Sequence, residues 1–99
     1  MSYPNVLLHV NGEWRPARSG KTLNVVNPAT EEVIGTVAHA EKADLDEALA
    51  AADKGFALWK KVSAFDRYKV MRKAADLFRA RADETARLLT LEQGKPLPE

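Results

Sequence analysis

Glu92 stands at a position that local electrostatics disfavours. In "LTLEQGKPLPE" it precedes Gly94 and Pro96, the glycine-then-proline order that ends helices. A carboxylate in the last turn of a helix faces the negative end of the dipole and carbonyls without partners, at a cost of about 0.3–1 kcal/mol. Two kinds of partner would offset this. One is the ammonium of Lys95 or a nearby arginine; the other is a metal cation held jointly by the carboxylate and backbone carbonyl oxygens. Other residues able to do chemistry are sparse. His9 and His39 fall in or beside strand-like segments with no second ligand at metal spacing, and both are read as structural or surface histidines. Gly12, Gly20, Gly35, Gly55 and Gly94 are too far apart to build a phosphate-cradling loop. There is no cysteine, so these residues hold no thiolate nucleophile, thiolate ligand or disulfide.

One cluster of charge also needs weighing. Between residues 63 and 82, Arg67, Lys69, Arg72, Lys73, Arg79 and Arg81 outnumber Asp66 and Asp76. A basic helix of this kind would suit a small nucleic-acid-binding domain, whose complexes would weaken steeply with salt. The plainer reading is that these side chains lie over an apolar stripe with their charged ends in water. The balance of the whole chain favours the plainer reading. Fifteen basic and fourteen acidic residues leave a net charge of +1, which gives no field to steer the chain toward nucleic acid or an acidic membrane.

The elements that must position these residues change character near residue 40. Val6, Leu7, Leu8 and Val10 precede Asn11-Gly12, the dipeptide best suited to positive φ at both corners of a type I′ turn, and Glu13-Trp14-Arg15 returns. A second hairpin is expected from the run Thr22 to Val26, the proline-containing turn "NPATEE" and the run Val33 to Val37 around Gly35. From Glu41 the spacing becomes helical. Leu45, Ala48, Leu49, Ala52, Phe56 and Trp59 form one apolar stripe, with acids at its start and Lys60-Lys61 at its end, as the helix dipole favours. Gly55 costs this helix about 1 kcal/mol relative to alanine and is expected to mark close packing against another element. Ser63 and Asp66 have the spacing of a capping box, opening a second helix with the stripe Met71, Ala74, Ala75, Phe78 and Ala82. Asp83 is expected to cap a third, short helix that runs through Ala86, Leu88, Leu89 and Leu91 to Gly94. The fold class expected is α+β: two β-hairpins within residues 1–40, then three α-helices within 41–99.

Ninety-nine residues, 45% of them hydrophobic, suffice for one modest core and no more. The start "MSYPNVLLHVNG" has no basic leader, and His9 and Asn11 interrupt its apolar stretch, so neither a signal peptide nor a membrane span is expected. A cytoplasmic, soluble chain is the default expectation. Pro98-Glu99 has the look of a helix opening, with proline in the first turn and an acid at the positive end of the dipole.

Several segments, taken in order, resemble one family. "VNGEWRPARSGKTLNVVNPATEEVIGTV" resembles the amino-terminal strands of the aldehyde dehydrogenase superfamily. "DLDEALAAADKGFALWKK" and "SAFDRYKVMRKAADLFRARADETARLLTLEQGKPLPE" resemble its first helices. The order of "NGEW", "NPAT" and "LEQGKP" carries the resemblance, and "ARLLTLEQGKPLPE" is most similar to the succinate-semialdehyde dehydrogenase branch. The resemblance implies that residues 1–99 are the amino-terminal, incomplete part of an NAD(P)-binding domain, continued by another helix after "GKPLPE". It also implies a parent enzyme that oxidises an aldehyde, such as succinate semialdehyde, through a cysteine thiohemiacetal and thioester with NAD or NADP, and that forms a homo-oligomer. This segment alone is expected to be inactive and to hold no dinucleotide. The resemblance further implies a monovalent cation, Na⁺ or K⁺, bound by the backbone carbonyls of Val25 and Val26 and by Glu92. Relatives often carry aspartate where this chain has Glu92 and threonine where it has Val25. A stand-alone helical interaction module remains as an alternative, and would need a surface that closes on itself.

Overall fold

The computed structural model of the protein describes residues 3–99. Strands β1 (Leu8–Val10) and β2 (Glu13–Arg15) form an antiparallel hairpin in the register Leu8 to Arg15, His9 to Trp14 and Val10 to Glu13. Its turn is the one the sequence called for: Asn11 and Gly12 both have positive φ, at 53° and 78°. Strands β3 (Thr22–Val26) and β4 (Val33–Ala38) form the second hairpin, with a register irregularity between Val25 and Val26. Its turn is knitted by Asn27, whose side-chain carbonyl accepts from the Ala29 amide at 2.9 Å while its own amide donates to the Glu32 carbonyl at 2.9 Å.

Three helices follow: α1 (Lys42–Trp59), α2 (Ala64–Ala80) and α3 (Ala82–Gln93). The expected order of two hairpins and three helices is the order observed. The Ser63 hydroxyl caps α2 by accepting from the Asp66 amide at 3.1 Å. Gly94 ends α3 in the left-handed conformation, φ 82°, with its amide donating to the Thr90 carbonyl at 2.9 Å. Two local expectations are corrected. Asp83 does not cap α3; the helix starts two residues earlier than that cap would place it, with Arg81 at the cap position, and Asp83 lies in the first turn where its charge still meets the positive end of the dipole. Gly55 marks no close packing among the described residues, where a Cβ built on it would meet nothing within 4 Å.

The helices lie largely uncovered. Among the described residues Ala17 is the one buried hydrophobic side chain, while Phe56 and Phe78 are 64% and 69% exposed and Leu49, Trp59 and Met71 are also open to solvent. The chain presents 7895 Å² of surface. A self-contained protein of its mass would present about 5,600 Å². Its radius of gyration is 16.8 Å, against about 13 Å for a compact domain of this length. Among the described residues the elements are thus laid out without a shared core. No helix among the described residues is long and apolar enough to cross a membrane.

Candidate functional site

The sequence singled out Glu92, Val25 and Val26, and the structure brings all three to one open cleft of about 520 Å³, together with Tyr3, Asn24 and Val37. The third helix delivers Glu92 from its last turn, and the end of β3 delivers the two valines. Glu92 is partnered, but not as expected. Neither Lys95 nor an arginine reaches it among the described residues; the Tyr3 hydroxyl donates a hydrogen bond to its Oε2 instead. Lys95 has a different task, its carbonyl accepting from the Thr90 hydroxyl at 2.5 Å. Hydrogen bonding to Glu92, then burial, then the carboxylate's charge push the Tyr3 phenol up to about 12. The acid at the helix C-terminus is therefore served by a neutral donor. A carboxylate can accept several bonds, so Glu92 retains acceptor capacity toward the cleft.

Tyr3 reaches Glu92 because β4 makes room for it. A Cβ on Gly35 would lie 2.7 Å from Tyr3 Cδ1 and 3.2 Å from the Pro4 carbonyl oxygen. The signal for this contact was present as a glycine inside a strand, which often marks a close approach.

A second polar cluster joins the first hairpin to α1 and was not anticipated. Arg15, at the end of β2, donates from Nη1 to Asp44 Oδ1 at 2.7 Å and from Nη2 to Glu47. Asp44 is 2% exposed, and it also accepts from the amides of Glu41 and Arg18 at 3.0 and 3.1 Å. Arg18 closes the group on Glu47 at 3.1 Å. The Glu41 amide, then the Arg15 guanidinium, outweigh burial and hold the Asp44 carboxyl at about 2, well below its ordinary 3.8. The Arg15 pKa moves up, chiefly through its bond to Asp44. Asp44 is one of the acids the sequence placed at the start of α1, but nothing local signalled its burial. Every polar group in this cluster is matched to another within the chain, which suits a brace.

Four basic residues of α2 are likewise engaged locally. Lys69 lies 4.7 Å from the Phe65 ring centroid, Arg72 and Arg79 approach Asp76 at 3.5 and 3.3 Å, and Arg67 Nε donates to the Val62 carbonyl at 2.9 Å. This is the solvated, apolar-covering arrangement. His9 packs its ring 4.6 Å from that of Trp14 across the first hairpin. The glycines offer no dinucleotide cradle: Gly12 serves a hairpin turn, Gly35 underlies Tyr3, Gly55 faces open space and Gly94 ends a helix. The residues present do not fit NAD or NADP.

The sequence profile of the aldehyde dehydrogenase family matches residues 14–99. The chain belongs to the aldehyde dehydrogenase family. It is 45% identical over 91 residues to the glutarate-semialdehyde dehydrogenase of Pseudomonas putida, a match that covers 92% of this chain and 19% of that protein. Among solved structures, it superposes on an NAD-dependent aldehyde dehydrogenase from Sinorhizobium meliloti with a TM-score of 0.91 and 38% identity, over 96% of this chain and 20% of that one. A betaine aldehyde dehydrogenase from Staphylococcus aureus, solved with NAD⁺, gives 0.89 and 34%, over 93% and 19%. The chain thus spans about a fifth of the length of the aldehyde dehydrogenases it matches.

Proposed function

We propose that this chain is the amino-terminal part of the dinucleotide-binding domain of an NAD(P)-dependent aldehyde dehydrogenase that oxidises a short dicarboxylic semialdehyde. The observation that carries this reading is the 45% identity to a glutarate-semialdehyde dehydrogenase across 92% of the chain. Succinate semialdehyde, the substrate expected from "ARLLTLEQGKPLPE", has the same aldehyde and carboxylate one methylene closer together. In the overall reaction the aldehyde and water give the carboxylate, with a hydride passing to NAD⁺ or NADP⁺ and two protons released. The nucleophilic cysteine and the dinucleotide crevice belong to the remainder of the enzyme in this reading, since residues 1–99 contain no cysteine. The contribution of this segment is architectural: hairpins within 1–40 and helices within 41–99 offer apolar faces for the rest of the same chain. The enzyme is read as a cytoplasmic homo-oligomer.

The test is direct. The full-length enzyme is assayed for reduced nicotinamide with succinate and glutarate semialdehydes, each with NAD⁺ and NADP⁺. Turnover of at least one semialdehyde is expected. Oxidation of betaine aldehyde with neither semialdehyde turned over would contradict the substrate class, and no oxidation of any aldehyde would contradict the enzyme reading.

The same proposal includes a monovalent cation at the Glu92 cleft. Glu92, Val25 and Val26 line one cleft, and in this reading the Glu92 carboxylate and the two valine carbonyls would be the hard oxygen donors that Na⁺ or K⁺ takes. An ion bound only to the folded state stabilises it by RT ln(1 + [L]/Kd). Replacing K⁺ and Na⁺ by a bulky organic cation at constant ionic strength should therefore lower the Tm of the full-length enzyme, and should have a smaller effect on Glu92→Gln. Equal losses in both proteins, or none in either, would remove Glu92 from the ligand set.

A further inference from the structure

Residues 3–6 precede the first hairpin in sequence yet bond to the second one. Val6 pairs with Val37 of β4 in parallel, its amide donating to the Thr36 carbonyl at 2.7 Å and its carbonyl accepting from the Ala38 amide at 2.8 Å. The Thr36 hydroxyl donates to Asn5 Oδ1 at 3.2 Å. Tyr3 then crosses Gly35 so closely that a Cβ there would overlap its ring, and its hydroxyl ends on Glu92 of α3. The segment is therefore fixed to β4 at one end and to a helix terminus at the other.

What the segment separates is equally clear. Tyr3, Val6 and Glu92 line the 520 Å³ cleft that also holds Val25 and Val26, and they line a second cleft of about 250 Å³ on the Leu88 and Leu89 side of α3. The three residues stand as a partition between two openings. Its link to α3 is the single hydrogen bond from Tyr3 to Glu92; its links to β4 are the ring packing over Gly35, the Thr36–Asn5 hydrogen bond and the short Val6 bridge.

We propose that residues 3–6 are a strap, fastened over Gly35 by the Tyr3–Glu92 hydrogen bond, that ties the end of α3 to β4. Tyr3 is a positioning residue in this device: it holds the Glu92 carboxylate and the end of α3 against β4. The fastening needs a phenol hydroxyl, a carboxylate and a bare Cα, and each comes from a different element. The strap requires no cation, so it stands or falls separately from the cation reading.

The test uses the full-length enzyme and hydrogen-exchange mass spectrometry of segments containing Val6, Ala38 and the β3 residues 22–26. Tyr3→Phe keeps the ring and removes the donor. It should speed exchange at Val6 and Ala38 by about tenfold, as expected for one lost bond to a charged acceptor, and leave 22–26 within about twofold. Glu92→Gln should speed the same two segments by a smaller factor, and the double variant should exceed Tyr3→Phe by no more than about twofold because both changes remove one contact. Unchanged exchange at Val6 and Ala38 in Tyr3→Phe would overturn the strap. So would uniform acceleration across 22–26, since that would make Tyr3 a general support of the hairpin.

Discussion

Asp44 accepts three hydrogen bonds, two from backbone amides and one from Arg15, while almost wholly hidden from water. Its carboxylate must stay ionised for that arrangement to persist, and the donors lower its pKa from 3.8 to about 2. A depressed carboxyl pKa stabilises the fold fully above the unfolded value, and the contribution disappears as pH falls through the folded one. Acid titration of the full-length enzyme should therefore release the first hairpin from α1 between about pH 4 and pH 2, a transition missing from Asp44→Asn. The Asn variant should also have a lower Tm at neutral pH, because Arg15 keeps its burial and loses its principal acceptor. Circular dichroism melts at neutral and acid pH measure both effects. A variant as stable as wild type at neutral pH, with the same acid profile, would show that the cluster is not a brace.

Elements in this chain were legible wherever their cause was local. Asn11-Gly12 takes positive φ at both turn residues, Ser63 accepts from the Asp66 amide, and Gly94 closes α3 in the left-handed region. Gly94 also places a built Cβ 3.3 Å from Pro28 Cγ, beside the turn of the second hairpin. Gly94→Ala should thus cost about 1–2 kcal/mol through its backbone conformation alone, measured as the shift in denaturant midpoint at unchanged slope. No loss would mean that this helix end relaxes freely. What the sequence could not disclose were pairings across distance. Arg15 meets Asp44 at a separation of 29 residues, and Tyr3 meets Glu92 at 89. Helical and strand periodicities say which face a residue occupies and nothing about which distant side chain arrives there. Glu92 was recognised as needing a partner because the helix dipole is a local property; the partner's identity was a tertiary one. Gly35 and Gly55 show the same limit from the other side. Close approach was expected at Gly55, yet of the two it is Gly35 that has a neighbour among the described residues.

The helix stripes give the whole molecule its most distinctive property. Met71, Ala74, Ala75, Phe78, Ala82 and Leu89 line an apolar cleft of about 640 Å³ between α2 and α3, and Phe56 and Leu49 of α1 are similarly open. Such surface is stable in water only when something covers it. Within the proposed function the cover is the remainder of an aldehyde dehydrogenase chain, of which this one spans about a fifth by comparison with its relatives. The central claim is that these 99 residues are part of a larger core. It is tested most directly by preparing them alone and recording a thermal melt together with the fluorescence of a dye that binds exposed apolar surface. The account predicts strong dye binding or self-association and a broad, weakly cooperative melt. A monomer with a sharp melt and no dye binding would contradict it, and would favour a self-sufficient helical module.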